Sequence, residues 1–358
     1  MTANTPSTTD NPATNTDQTD APLLEYDDLD VTFETKRGDV EAVNGVSFAL
    51  EAGEILCLVG ESGSGKSVTA QSALDLVPQP PGVIDGEIRY RGQDIQSASE
   101  EAIRNLRGDD IGIIFQDPIS SLNPVHTVGT QVIEALTAHG RWSGQKARER
   151  AVELMDRVGI PDAEARLGDY PFEFSGGMRQ RVMIAIALAN EPDVLIADEA
   201  TTALDVTIEA QVLELIQELR DETGMGVVFI THDFGVVAEI ADKVAVMYGG
   251  NVVERGDVFE LFENPKHPYT EGLLGSIPGT AVQEGSNRLK AIDGEPPDMT
   301  DMPTGCKFYP RCPEAMDHCR EEMPPTYVED GEHQVRCFLH DDLPEAGDNG
   351  IGSRGGEE

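Results

Sequence analysis

The chain has 358 residues, enough for one large domain or two moderate ones, each with its own core. Its 26 Lys and Arg face 66 Asp and Glu, a net charge of −40, and no basic run offers a patch for a phosphate backbone, which argues against nucleic acid as a partner. The longest apolar run, Val182–Ala189, is eight residues, whereas a membrane helix needs roughly 20.

Residues 1–22 are rich in Thr, Asn, Asp and Pro and hold no Lys or Arg, the composition of a disordered acidic tail rather than a signal peptide. The chain is therefore expected to stay inside the cell, with any membrane role arising through partners. Alternation begins at Leu23; Leu29–Phe33 and Val40–Leu50 read as strands, and Glu54–Val59 as a short buried one. A Gly-rich loop follows, then a helix over Ser67–Leu76 that Pro78–Gly82 breaks. Residues 97–190 are expected to be mostly helical, with Gln145–Val158 clearly amphipathic. Val194–Ala197 reads as a buried strand, Ile208–Thr223 as a long helix, and Val227–Ile230 and Val244–Met247 as two more strands. Such alternation predicts an α/β fold around a parallel sheet, with the helical stretch as an insert. From Asn264 the character changes to Pro- and Gly-rich sequence with four of the five Cys, and residues 341–358 read as a second disordered acidic tail.

Gly60-Glu61-Ser62-Gly63-Ser64-Gly65-Lys66-Ser67 matches G-x-x-x-x-G-K-[ST] completely, between an apolar strand and a helix. The glycines let backbone amides turn around a β-phosphate, and the helix N-terminus adds positive potential. Lys66 is expected to bridge the β- and γ-phosphates of ATP and the Ser67 hydroxyl to ligate Mg²⁺. The apolar run Val194–Ala197 ends in Asp198 and Glu199, at the ligand edge of such a sheet. Asp198 can hold Mg²⁺ there, and Glu199 could polarise an attacking water, although a solvated acidic turn reads equally well from these residues alone.

With Phe174-Ser175-Gly176-Gly177-Met178-Arg179-Gln180-Arg181 shortly before that strand, the chain resembles the nucleotide-binding subunit of an ABC transporter over residues 23 to about 340. The resemblance implies a P-loop ABC-type nucleotide-binding domain over 23–264, its helical insert at about 97–190, and a small Cys-containing extension over 265–340. It also implies the roles of further residues: Phe33 stacking on adenine, and Gln116, in Phe115-Gln116-Asp117-Pro118, sensing Mg²⁺ and the membrane subunit. Thr202-Ala203-Leu204-Asp205 resembles the loop that crosses the dimer, and His232 the switch histidine beside the γ-phosphate. Ser175, Gly176 and Gly177 would bind the γ-phosphate held by a second subunit. Glu199, His232 and Lys66 are thus the expected catalytic residues, and Phe33 with Gly60–Ser67 the ATP-binding ones. Phe174, Met178 and Ala200 depart from the family's commonest residues without removing a phosphate-contacting group.

The segments Asp117–Pro124 and Asn264–Thr270 are similar to the oligopeptide/dipeptide importer ATPases. That branch implies ATP hydrolysis coupled to peptide uptake, a second and different ATPase subunit, two transmembrane permeases and an extracytoplasmic binding protein, with this chain at the cytoplasmic membrane face. Nickel or oligosaccharide cargo, a non-transport ABC ATPase and an exporter's ATPase are the other readings.

Cys57 reads as a small core residue, whereas Cys306, Cys312, Cys319 and Cys337 cluster late in the chain. In a reducing cytosol four such thiols point to metal, without the close C-x₂-C pairs usual for zinc. Some members of the resembled family carry a [4Fe–4S] cluster on a similar tail, so iron–sulfur, zinc and unligated thiols all stand open. Lys307 and Arg311 are expected to favour thiolates, and a metal is expected to supply the cross-link that so aperiodic a tail lacks. The dispersed acid suits a high-salt cytoplasm (a halophile) or an ordinary acidic cytosolic protein.

Overall fold

The computed structural model describes residues 21–116, 121–201, 204–277, 292–329 and 332–346. Two sheets and a group of helices form its layers. The larger sheet has at its centre strands whose every residue is buried: β3 (Ile55–Val59), β7 (Val194–Asp198) and β8 (Gly226–Thr231). Together with β6 (Ile111–Ile114) and β9 (Lys243–Tyr248) they run parallel, in the order β9-β3-β8-β7-β6. Near-continuous apolar sequence is what a parallel strand covered on both faces requires. Successive side chains take opposite sides: Ile55, Cys57 and Val59 pack into the helical layer, while Leu56 and Leu58 pack toward the second sheet.

That second sheet is antiparallel, formed by β1 (Leu24–Thr35), β2 (Gly38–Leu50), β4 (Gly82–Tyr90) and β5 (Gln93–Asp94) in the order β2-β1-β4-β5. The sequence reading therefore holds for four of the five central strands, β3, β7, β8 and β9, but misses β4, and misses β10 (Asn251–Asp257), which returns antiparallel beside β9. The region 97–190, expected mostly helical, does carry helices over Val128–Ala138, Gly144–Arg157 and Gly176–Ala187. It also contributes β6 to the central sheet, because Ile-Gly-Ile-Ile is too short a run for periodicity to separate strand from helix. The helix after the phosphate loop, α1, runs Lys66–Ser72 and stops short of Leu76: Leu74 and Asp75 close turns onto Gln71 and Ser72, and Asp75 has φ +48°.

The late segment continues the main body rather than standing apart. Its strand β12 (His333–Val335) pairs with β10, and β11 (Tyr327–Glu329) pairs with β12, extending the larger sheet to eight strands. The Glu254 carboxylate, 1% exposed, accepts from the Lys266 and His267 amides at 2.7 and 2.8 Å and meets His333 Nε2 at 2.8 Å. Burial leaves charge on His267 unfavourable, pushing its pKa down to about 4 despite Glu254. Phe308 and Tyr269 belong to the main apolar core. The tail was expected to need a metal cross-link for want of a core; instead it borrows the core of the sheet. Residues 341–346 were also expected to be disordered, yet Val328 donates to the Pro344 carbonyl and Ala346 to that of Thr326. Acid-rich composition hid that pairing. The remainder of the two predicted tails, 1–20 and 347–358, lies outside the described residues.

Candidate active site

Strand β3 delivers the chain into the phosphate loop at the edge where the parallel strands end. At Gly60 (φ +153°) a Cβ would stand 2.2 Å from the Met247 carbonyl oxygen, and at Gly65 (φ +104°) 2.4 Å from that of Ala42. Only glycine fits either place, so β9 and β2 press the loop into shape from behind. Lys66, 5% exposed, donates to the Gly60 carbonyl at 2.8 Å and the Glu61 carbonyl at 2.9 Å. Burial lowers its pKa, and the Glu199 and Asp198 carboxylates oppose that shift.

The carboxylates stand where the sequence predicts. Ser67 Oγ donates to Asp198 Oδ1 at 3.0 Å, so a hydroxyl and a carboxylate from two elements meet, an oxygen pair of the kind Mg²⁺ takes. Burial raises the Asp198 pKa, which the Ser67 hydrogen bond counters. Glu199 lies just past β7 with φ +47°, a conformation sparsely populated by non-glycine residues. Its amide donates to the Ile230 carbonyl at 3.0 Å, its Oε2 accepts from Gln116 Nε2 at 2.7 Å, and its Oε1 is 3.7 Å from His232 Nδ1. Gln116, Glu199 and His232, 116 positions apart from first to last, thus form one polar constellation beside Lys66 and Asp198. Phe33 sits near the end of β1, partly buried against the core face that also receives Val68 of α1.

Ser175 caps the helix Gly176–Ala187, accepting from the Met178 amide at 3.3 Å. Asp205 caps α7 (Val206–Thr223), accepting from the Thr207 and Ile208 amides. The two caps line one open groove of about 910 Å³ with Gly176 and Gly177, and no residue of the phosphate loop lines it. The structure therefore brings Ser175, Gly176 and Gly177 together with Asp205 on one groove, whose lining does not include Lys66. Thr202 and Ala203, like Asp117–Ser120, lie outside the described residues.

Two contacts to the loop escape the sequence entirely. The Glu61 amide donates to Tyr269 Oη at 2.9 Å, and the Glu61 carboxylate accepts both terminal nitrogens of Arg311, at 2.6 and 3.1 Å. Tyr269 stands in the Asn264–Thr270 segment, which sequence singles out without assigning it work; nothing in the sequence points from Arg311 to a loop 250 positions earlier.

Cys306, Cys312, Cys319 and Cys337 line a single cavity of about 10 Å³, together with His267 and Phe308. Four thiols on one cavity are the donor set that iron–sulfur or zinc takes. The fit is incomplete: among the described residues no three His, Cys, Asp or Glu side chains form a group that could hold a metal ion. The expected thiolate bias is also reversed. Burial pushes the Cys312 thiol up to about 11 and that of Cys337 to about 12, and it raises Cys306 as well. The Arg311 cation, expected to favour the Cys312 thiolate, is instead spent on Glu61.

Comparison with known proteins decides the family. Residues 43–202 match the ABC transporter family, and residues 253–319 the oligopeptide/dipeptide transporter C-terminal region. The chain is 52% identical over 324 residues to the oligopeptide transport ATP-binding protein OppD of Bacillus subtilis, covering 90% of each chain. The chain belongs to the ABC transporter ATP-binding protein family. This ABC ATPase is also 49% identical to the dipeptide transport ATP-binding protein DppD of Bacillus subtilis, over 90% of its own length and 96% of the relative's. Among solved structures it resembles a dimeric ATP-binding cassette in a post-hydrolysis state bound to ADP and phosphate, with a TM-score of 0.60 and 27% identity, over 66% of this chain and 99% of that one. The cbiO1 protein of Clostridium perfringens, part of the ABC transporter complex cbiONQ, gives a TM-score of 0.57 at 30% identity, over 68% and 91% of the two chains. Among the described residues, no helix of this ABC ATPase is long and apolar enough to cross a membrane.

Proposed function

We propose that this ABC ATPase drives uptake of dipeptides or oligopeptides, working from the cytoplasmic membrane face with a second, different ATPase subunit, two permeases and an extracytoplasmic binding protein. The observation that carries the reading is similarity that runs through the C-terminal region as well as the nucleotide-binding core, to relatives named for peptide transport. The proposed parts are an ATPase portion over 23–264, with its insert near 97–190, and the importer-type extension over 265–340. An exposed apolar surface supports the permease contact: Phe172 is 70% exposed and stacked on Tyr170, and Val125 is 73% exposed. The bond from the Val128 amide to the Asp169 carbonyl holds their two loops side by side.

In the proposed cycle Lys66 neutralises β/γ-phosphate charge, and Ser67 and Asp198 hold Mg²⁺. Glu199, oriented by Gln116 and His232, polarises the attacking water, and Phe33 carries the adenine. The groove at Ser175 and Asp205 takes the nucleotide of the facing subunit, because its helix N-terminus suits a phosphate and no phosphate-loop residue lines it. The test is reconstitution with the permeases encoded beside the gene. Peptide-loaded binding protein should stimulate ATP hydrolysis; stimulation by nickel- or oligosaccharide-loaded protein instead would redirect the cargo, and co-purification with ribosomes would end the transport reading.

For the cysteine cavity the proposed occupant is a [4Fe–4S] cluster, which would require the four thiols that line the cavity to draw together, since as they stand they form no metal-holding group. Iron and acid-labile sulfide in anaerobically purified protein are the measurement; stoichiometric zinc would replace it, and metal-free protein with a folded tail would end it. The acid excess supports a further proposal, adaptation to a high-salt cytoplasm.

A further inference from the structure

The phosphate loop is held from two directions. Lys66 inside it donates to the Glu61 carbonyl, and outside it the C-terminal region takes hold of the same residue. Arg311 makes the second hold through the bidentate geometry that is the strongest common ion-pair arrangement. Its side chain is 6% exposed and that of Glu61 27%, so the pair is largely withdrawn from water. Arg311 is itself fixed: its Nε donates to the Asp293 carbonyl at 3.0 Å, and its Nη1 lies 3.2 Å from Tyr248 Oη. Tyr248, Tyr269 and Phe308 stack edge-on or tilted at 4.6 to 5.3 Å between ring centres. Phe308 faces the cysteine cavity, and Cys312 is the residue next to Arg311. One short path therefore runs Cys312, Arg311, Glu61, Lys66.

We propose that Arg311 is a positioning residue for ATP, through which the C-terminal region sets the nucleotide affinity of the phosphate loop. The proposal rests on that loop being the ATP site. Without Arg311 the Glu61 side chain loses its hold from the C-terminal region, and the loop whose Glu61 carbonyl anchors Lys66 is less well ordered to receive the phosphates. The effect should fall on binding more than on chemistry, because Arg311 touches neither the attacking water's carboxylate nor the Mg²⁺ pair. By linkage, Mg-ATP must in turn tighten the C-terminal region by the same factor.

The experiment uses the full-length protein, with Mg-ATP affinity from a fluorescent analogue, steady-state hydrolysis, and the rate at which a thiol reagent modifies the tail cysteines. Arg311→Ala should raise Kd and KM for ATP about tenfold, as loss of a buried bidentate pair implies, with kcat within about twofold. Arg311→Lys should recover part of the affinity. Mg-ATP should slow thiol modification in the unaltered protein and lose that effect in Arg311→Ala. Glu61→Gln, which alters no residue of the tail, should raise Kd likewise, and the double substitution should be no worse than the worse single one. Unchanged affinity in Glu61→Gln and Arg311→Ala, or thiol rates indifferent to Mg-ATP, overturns the proposal even if Arg311→Ala loosens the tail. Lys66→Ala separates the levels: nucleotide binding that survives it defeats the site assignment, whatever Arg311 does.

Discussion

The phosphate loop and the C-terminal region that braces it are built from the same chain by opposite strategies. Eight consecutive residues, Gly60–Ser67, carry most of the loop's chemistry, because a backbone cradle needs its glycines and its lysine at fixed spacing. The brace has no such constraint. Arg311 and Tyr269 need only arrive at Glu61 from wherever the fold brings them, and they come from 250 and 208 positions away. Chemistry performed by backbone is written as a motif, whereas chemistry performed by long side chains across a fold is not.

The largest expected effect tests the motif side. Glu199→Gln should lower hydrolysis by about 10²–10⁴-fold, the usual worth of a positioned acid–base group, while leaving ATP binding in place and trapping the closed dimer. Near-normal turnover in the assembled transporter would remove Glu199 from its role.

The next effect tests the brace. Phe308 is 1% exposed among Tyr248, Tyr269 and His267, so Phe308→Ala leaves a cavity on the brace side of the loop. The expected cost is about 3–5 kcal/mol of stability. If the brace and the loop are one unit, a single cooperative transition should shift as a whole; a separate early transition confined to the tail thiols would show that they are not.

The legibility of the two regions follows from the same contrast. Central strands such as Ile55–Val59 are readable because they are apolar on both faces; of the Gln116–Glu199–His232 constellation, Glu199 is legible at a strand exit, whereas Gln116 and His232 are legible only through the family resemblance. Strand β6 is not readable, since four residues set no period. The extension reads as coreless because apolar residues such as Tyr269, Leu274 and Phe308 are scattered without a period; their core is supplied by the sheet beneath them. Arg311 beside Cys312 was read as a partner for the thiol, since sequence neighbours are all that a sequence displays, yet the guanidinium turns to Glu61.

The smallest effect concerns charge, and here the loop and the remote surface should part company. On the surface cations are the scarce partner: Arg89 sits among Glu25, Asp27 and Glu87, Arg220 between Asp221 and Asp242, and Lys243 between Glu54 and Glu332. The remaining carboxylates repel one another with a net charge of −40 behind them. Taking KCl from about 1 M to 0.1 M lengthens the screening distance from about 3 to about 10 Å. Repulsion between neighbouring surface carboxylates then acts across a whole element, and the melting temperature should fall by several degrees. Attractive pairs strengthen at the same time, but with so few cations to share they cannot offset the excess. The Arg311–Glu61 pair is mostly shielded from solvent and should respond little, so tail thiols should stay protected by Mg-ATP at both salt concentrations. A melting temperature that holds or rises on desalting would count against high-salt adaptation. Loss of Mg-ATP protection at low salt, with the protein still folded, would show that the brace is a surface ion pair like the rest.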